Sequence, residues 1–412
     1  MIPVKEAQDK ILSFIKVLEP EKKAILDCLG QVLAENVFSQ IDVPPLDNSA
    51  MDGFAVRAED TYGANSNTPI LLPVVDQVAA GYIAGKKVTP KTAIRIMTGA
   101  VVPEGADAIV QFDDTEEIAR KTTGADQATI AILKQAKKGR HIRRKGEDIS
   151  KGTMVLPKGT ILHAAQIGVL ASLGYSDISV IRRPIVAILV TGDELLDIGQ
   201  PLSPGKIYNS TAYSLAAQVT WYGGKPKILG IGRDSVEAIN QKIDSAEGCD
   251  MLITSGGVSL GDYDVVKDVL AKRGKIELWT ICMKPGKPSA FGTIRVGDKK
   301  ILHLGLPGNP VSSMVTFEQF ARPAMFKMMG RNDIEKETIQ AIMDDDVKNS
   351  DGRRIYLRVI VSKKDDAYHA RITGPQGSGV LTSMAKANGL AIVPENTSGV
   401  KAGDIVKVQI LD

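Results

Sequence analysis

Cysteine is scarce in this 412-residue chain, and its placement excludes more than its number does. Cys28, Cys249 and Cys282 are odd in count, scattered, and form no C-x-x-C pair. That fits a reduced compartment and argues against a disulfide framework or a zinc site. Histidine is nearly as rare: the 4 residues are isolated from one another, which disfavours a histidine metal centre or a Ser-His-Asp triad. Long apolar runs are missing as well. The longest clean one, Ile185 to Val190, falls far short of the roughly 20 residues a membrane helix needs. The opening MIPVKEAQDKI turns polar at once and lacks the apolar stretch of a signal peptide, so the expected location is cytoplasmic. A net charge of +3 gives no bulk argument for nucleic acid. Neither a Walker A loop nor a G-x-G-x-x-G fingerprint occurs, so an ATPase or a dehydrogenase is not indicated. Whatever chemistry the chain performs has to come from carboxylates, lysines and backbone groups.

What is present is a soluble, globular composition, 43% apolar and 24% charged. The length predicts about two to four domains. Val4, Ala7, Ile11, Ile15 and Leu18 recur at helical spacing up to Pro20, and a second helical stretch is expected over Lys23 to Leu33. From about Pro69 to Ile142 short β-type runs (PILLPVV, TAIRIMTG, ADAIVQF, ATIAILK) alternate with Gly, Pro and Asp clusters, which reads as a small β-rich domain. The basic run around Lys137 to Lys145 has no interleaved aromatics, so it reads as a solvated face or as charge brought to a phosphate-bearing ligand by Arg143 and Arg144. A helix from Ala164, ended by Gly174, returns to helical character and predicts that the first domain is discontinuous. From Arg183 onward short apolar strands alternate with amphipathic helices, including one from Val311 to Met329, as in a largely parallel sheet. After Lys336 four strands with polar turns suggest a small barrel.

The loops that end the apolar strands carry the chemistry-bearing residues. In an open α/β sheet such loops gather at the carboxyl ends of the strands, where ligands bind. Ile185–Val190 runs into Thr191, Gly192, Asp193 and Glu194, whose two acids also read as first-turn acids of a helix. The block SGGVSLGDYD supplies Ser255, Gly256, Gly257 and Ser259 ahead of a helix expected near Asp264. Its Asp262 and Asp264 suit Mg²⁺ beside a phosphate, although Asp264 also reads as a helix cap. In MKPGKPS, Pro and Gly hold the backbone while Lys284 and Lys287 project, which favours anion binding over a plain surface turn. At Pro307, Gly308 and Asn309 a strand meets a helix; Gly308 and Asn309 allow positive φ, and Pro310 suits the helix start. The loop holding Asp47, Asn48, Ser49, Asp52 and Gly53 is either a turn feeding the strand FAVR or a ligand loop.

Taken together, PPLDNSAMDGFAVR, RIMTGAVVPEGADAIV, RKGEDI, VTGDEL, TSGGVSLGDYD, MKPGKPSAFG, LPGNPVSS and QGSG…ANGL resemble the molybdopterin molybdenumtransferase family, which includes the C-terminal domain of gephyrin. The resemblance runs through essentially the whole chain, and it is the order of the blocks that makes it specific. It implies a multidomain α/β plus β fold. An elongated discontinuous helical/β domain would cover 1–44 and 146–180, and a β-rich insert 45–145. A parallel-sheet α/β molybdopterin-binding domain would cover 181–330, and a C-terminal β-barrel 331–412. The family reaction consumes adenylylated molybdopterin and molybdate with Mg²⁺ and yields molybdenum cofactor and AMP. It implies molybdopterin adenylyltransferase as upstream partner, and a homodimer whose active site is shared between subunits. On that basis Asp52, Thr98 and Asp148 of one subunit would face Glu194, Asp234, Asp264 and Lys284 of the other. Asp262, Asp264 and Glu194 are the expected metal ligands, and Lys284 and Lys287 the anion binders. The substrate-binding set is Thr191, Gly192, Ser255, Gly256, Gly257, Ser259, Lys287, Pro307, Gly308 and Asn309. One position departs: Thr280 stands where many relatives carry a lysine.

Three other readings compete. Competence-damage-type nucleotide-pyrophosphate hydrolases share the TGDEL-like and Gly-rich loops, but would not be expected to carry SAMDG and MKPGKP together. A dedicated scaffold is disfavoured because nothing resembles a long linker or a second fused enzyme. A tungsten-inserting homologue stays open, since tungstate and molybdate have nearly the same size and charge.

Overall fold

In the computed structural model the described residues are 1–118, 128–233, 235–257 and 265–411. They fall into two compact units, Met1–Ala34 with Ile178–Asp412, and Glu35–Asp177. No helix among them is long and apolar enough to cross a membrane.

The larger unit is built on a six-stranded sheet. Its spatial order is Lys225–Gly232, Ile185–Thr191, Met251–Ser255, Lys299–Leu306, Pro288–Val296 and Gly274–Thr280. The first four run parallel; the last two are added antiparallel by the hairpin between Val296 and Lys299. The strand IVAILVT shows why the sheet is buried on both faces. Val186, Ile188 and Val190 enter one core with the helix Ser210–Trp221, while Ala187 and Leu189 enter a second with Val236–Asp244 and Val265–Arg273. A strand apolar at every position, rather than at alternate ones, is what a sheet covered on both faces needs.

The helix expected over Val311 to Met329 is divided into three pieces. Pro310–Thr316 and Arg322–Met328 are α-helical, and Phe317–Ala321 between them is a π turn. The reason is Pro323, which has no N–H to offer the Gln319 carbonyl one turn back and whose ring crowds it. The side chain of Gln8 donates to that carbonyl instead, at 2.9 Å. Gln8 comes from the first helix, Val4–Ser13, which buries Val4, Ala7 and Ile11 at helical spacing. That helix ends before Ile15 and Leu18, which pack without continuing it. The second helix expected from Lys23 to Leu33 is not formed. Pro20–Ala24 is a strand paired with Asp177–Ile181, followed by a short 3₁₀ turn, Ile25–Cys28. Tertiary pairing outweighs helical propensity there.

The C-terminal strands close into a barrel. Arg354–Lys364, Ala367–Ile372, Thr338–Met343, Ile405–Ile410 and Gly389–Val393 are neighbours in that order, and the last pairs back with the first. Four of these were expected; Thr338–Met343, with its weakly apolar TIQAIM, completes the ring.

In the smaller unit, Ala108–Gln111, Gly53–Val56, Ala93–Ile96, Ile70–Val78 and Thr129–Ile132 form one five-stranded sheet, as the β-type runs predicted. Gly53 has to be glycine: a Cβ there would lie 2.1 Å from the Val110 carbonyl oxygen. The helix Ala164–Ser172 ends at Gly174 with φ 79°.

Phe320, 1% exposed inside the π turn, packs into the larger core. Phe320→Ala is expected to cost about 3–5 kcal/mol. Urea unfolding of the variant beside the native chain measures it.

Candidate active site

Three strand ends of the larger unit open onto one cleft of about 750 Å³. Thr191 and Glu194 line it from the first, Gly256 and Gly257 from the second, and Gly308 and Asn309 from the third. One glycine is required where these loops meet. Gly256 has φ 89°, and a Cβ on it would come within 2.9 Å of both oxygens of Thr191. Its Cα lies 3.6 Å from where a Gly308 Cβ would stand, an ordinary contact. The cleft is lined by these loops together with the hydroxyl-bearing Thr191, Ser210 and Thr211.

Several expectations change at this cleft. Gly308 does not adopt positive φ, and Asn309 sits at φ −66°, so neither makes the left-handed turn the sequence allowed. Pro310 is the first helical residue, as expected. Asp193 and Glu194 open no helix. They lead into a short strand, Leu195–Leu196, paired with Ile207–Tyr208. The Asp193 carbonyl takes the Lys206 ammonium at 2.6 Å, while Glu194 is exposed and lines the cleft. Gly192 has φ 147°, and the Glu194 carboxylate folds back beside it. Ser255 lines the cleft, but its buried hydroxyl is committed elsewhere: it donates to the Pro307 carbonyl at 3.0 Å and meets the Ser313 hydroxyl at 3.1 Å. Its role is to join two loops. Asp234, Ser259, Asp262 and Asp264 lie outside the described residues.

A second cavity of about 630 Å³ adjoins the first, and both are lined by Gly286, Pro288 and Ser312. Its character is different: Lys284, Lys287, Lys348, Arg353 and Arg358 line it, with Asp346 as the lining acid. The short strand Met283–Lys284 pairs parallel with Arg354–Ile355 of the barrel, which brings the MKPGKP loop to barrel residues. Gly286 bends that loop at φ 111°, with its Cβ position 2.5 Å from Thr316 Oγ1. Lys284 is half exposed and lies 3.4 Å from Asp351, which also accepts from Arg353. Lys287 is exposed, and among the described residues its ammonium has no ion-pair partner.

Arg358 is the residue that sequence reasoning missed. It is 1% exposed and donates to Ser383 Oγ at 3.0 Å and to the carbonyls of Gly377 and Pro375. No carboxylate pairs with it among the described residues, and burial pulls its pKa down to about 10. A buried cation held only by neutral oxygens has its charge uncompensated. The signal was present in RIYLRV, where a charged residue falls at a position whose strand neighbours are apolar. The same barrel segment holds the cleft: Asn309 donates to Ser378 Oγ at 3.0 Å, and the Val311 N–H to the Ser378 carbonyl at 3.2 Å. Thr280 lines neither cavity; it pairs with Pro288 in the sheet, and its carbonyl accepts from Ile2 N–H at 2.8 Å.

In the smaller unit Asp52 and Thr98 are brought together. One Asp52 oxygen accepts from the Thr98 N–H at 2.7 Å and from its hydroxyl at 2.8 Å, on an exposed surface. Asp148 is exposed on a turn whose N–H bonds to the Val43 carbonyl, and no contact joins it to Asp52 among the described residues. Arg144 pairs with Asp47 at 2.6 Å rather than standing free.

A cleft at the switch of a parallel sheet, adjoining a basic cavity, marks an α/β protein with a site of the charge an anionic ligand would need. Comparison with known proteins narrows this. "MoeA N-terminal region (domain I and II)" matches residues 2–174, "Probable molybdopterin binding domain" residues 187–327, and "MoeA C-terminal region (domain IV)" residues 340–411. The molybdopterin molybdenumtransferase 2 of Mycobacterium tuberculosis is 38% identical, covering 99% of each chain. The molybdopterin molybdenumtransferase of Bacillus subtilis is 34% identical over 100% of this chain and 94% of that one. The crystal structure of the molybdopterin biosynthesis moeA protein from Pyrococcus horikoshii OT3 matches all of both chains with a TM-score of 0.81 at 29% identity. The chain belongs to the molybdopterin molybdenumtransferase family of enzymes.

The charge beside Lys284 has a consequence for acid stability. The hydrogen bond from Arg353, with the charges of Arg353 and Lys284, holds the Asp351 carboxyl at about 2, below its ordinary 3.8. A lowered folded value means that the contribution is full above 3.8 and disappears as pH falls towards about 2. Asp351→Asn is therefore expected to unfold at lower urea than the native chain near neutral pH. That gap should close across this acid window and narrow in high salt. Urea titrations across the acid range read it directly.

Proposed function

We propose that this chain inserts molybdenum into molybdopterin, taking adenylylated molybdopterin and molybdate and releasing AMP and molybdenum cofactor. The observation that carries the reading is the adjacency of two unlike cavities across Gly286, Pro288 and Ser312. The cleft, bordered by the hydroxyl-bearing Thr191, Ser210 and Thr211 and by close-packed glycine loops, suits a phosphate-bearing pterin. The basic cavity suits a tetrahedral dianion, with Arg358 buried at its wall and Lys284 and Lys287 at its mouth. The substrates then meet at the shared edge, held by groups already in place, so that catalysis is largely electrostatic positioning.

A magnesium ion was tested against the donors present. Among the described residues no three His, Cys, Asp or Glu come together as a metal cage. Glu194 is the carboxylate lining the cleft. That sparse donor set fits an ion that takes one or two protein carboxylates and completes its shell with phosphate oxygens and water. Glu194 would hold it, with Asp262 and Asp264 as the further candidates; when bound it supplies charge to the phosphoanhydride oxygens. The chain's own residues do the rest: Lys284 and Lys287 orient the oxyanion, and the Gly256–Gly257 and Gly308 loops fix the phosphate.

Asp52 and Thr98 belong to this reading as the contribution of a second copy. Their exposure fits a surface that completes a site elsewhere, in a homodimer with a shared active site. The upstream enzyme would be a molybdopterin adenylyltransferase, and the setting the cytoplasm, in keeping with the three free cysteines.

The deciding assay follows AMP release from adenylylated molybdopterin with Mg²⁺, with and without molybdate. Release that requires molybdate supports the reading; molybdate-independent cleavage of common nucleotide pyrophosphates overturns it in favour of a hydrolase. Lys287→Ala should raise the molybdate needed for half-maximal release by about 10- to 100-fold, the worth of one charge-assisted hydrogen bond. Tungstate competition in the same assay distinguishes a tungsten-inserting enzyme. Mixing Asp52→Ala with Lys287→Ala protein should restore part of the lost activity if the site is shared between subunits.

A further inference from the structure

A third cavity, of about 450 Å³, shares no lining residue with the two already described. It lies in the larger unit where the first helix, the π turn and the barrel strands Thr338–Met343 and Ile405–Ile410 meet. Arg322, 5% exposed, lines it. Of its five N–H donors one is used, Nη2 to the Ile334 carbonyl at 2.8 Å; Nε is buried with no partner. The guanidinium rests over Phe326 and Tyr222, at 5.0 and 5.9 Å from the ring centres. Its nearest carboxylate, Glu318, stands 4.0 Å away and is already occupied. Glu318 accepts from Gln218 and the Tyr222 hydroxyl, both at 2.8 Å, and from Lys336 at 2.9 Å.

The remaining wall adds one cation without an ion-pair partner, while its amides are bonded within the protein, Gln8 to the Gln319 carbonyl and Gln319 and Gln409 to each other. Lys407 is exposed on its strand and has no ion-pair partner among the described residues. Lys5 is held by Asp9 at 2.7 Å, and Glu335 is the opposing acid of the lining. The side-chain amides of Gln8, Gln319 and Gln409 face the same space. A buried polar group without its partner carries a desolvation cost that a ligand of the right charge removes. Arg322, whose one ion pair among the described residues is the long contact with Glu318, and Lys407, which has none, together suit a compact oxyanion of two charges, the guanidinium offering a planar fork to two oxygens.

We propose that this cavity binds a phosphate-type dianion, free phosphate or a small phosphate monoester, apart from the site of molybdenum chemistry. The bound ion would bridge Arg322 of the helical core and Lys407 of the barrel. It would thereby tie the barrel to the helix Val4–Ser13 and stabilise the larger unit by mass action.

The test uses the full chain carrying Lys284→Ala and Lys287→Ala, so that the basic cavity beside the cleft does not report. Inorganic phosphate is titrated by calorimetry at fixed ionic strength. The expected result is one saturable equivalent that persists in this double variant. Adding Lys407→Met, on an exposed strand position where the fold is not at stake, should weaken it by at least about tenfold. In the otherwise native chain Lys407→Met should leave molybdate-dependent AMP release unchanged. No saturable phosphate binding in the double variant, or binding indifferent to Lys407→Met, overturns the proposal. Either outcome is independent of whether the AMP-release assay succeeds.

Discussion

Two residues in parallel register, Met283 and Lys284 against Arg354 and Ile355, decide where the charge of this molecule goes. Without that pairing the MKPGKP loop would be a basic turn in solvent. With it, the loop is clamped between the sheet, where Ile281 N–H bonds to the Lys287 carbonyl, and the barrel. Gly286 is then forced into a bend that no side chain could share with Thr316. The lysines end up beside Asp351, Arg353 and Arg358, three barrel residues roughly 70 positions further along the chain. The basic cavity is a product of that junction rather than of either element.

The parts of this fold that were legible in the sequence are those written in local pattern. Strands apolar at every position announced a sheet covered on both faces, and Gly174 and Pro310 marked helix ends where they fall. The strand ends carrying Thr191, Gly256 and Gly308 were recognisable as loops gathered at one edge, and Lys284 and Lys287 as cations held by a stiff loop, which the structure places on one cavity. The failures have a common cause. The stretch from Lys23 to Leu33 looks helical but is captured by pairing with Asp177–Ile181, some 150 residues away, which no local rule contains. The left-handed turn that Gly308 and Asn309 allowed is not used, because the chain enters the helix at Pro310 with ordinary backbone angles. Arg358 was passed over because a charge inside an apolar strand reads as solvent-facing until the barrel closes around it. Ser255 lines the cleft as the sequence suggested, and its hydroxyl also joins two loops, which the sequence did not show.

The molecule handles buried charge in two contrasting ways. Glu318 is nearly inaccessible yet fully supplied, with three donors around its two oxygens. Arg358, just as deeply placed, meets only neutral oxygens, and Arg322 has its Nε bare with Glu318 4.0 Å away. Burial lowers the pKa of both arginines, outweighing for Arg322 the opposing pull of Glu318. Saturated charge of the first kind specifies packing; unsaturated charge of the second kind sits at cavity walls.

The Ser378 contacts with Asn309 and Val311 carry one more implication. Most of the residues that shape the cleft come from the sheet loops, while the deepest cation of the adjoining cavity is anchored by Ser383, Pro375 and Gly377 of the barrel. The C-terminal segment thus contributes to both cavities, lining the cleft through Gly379 and Leu381 and holding the buried charge beside it through Arg358. A change in this one segment would alter the outline of the cleft and the charge beside it together.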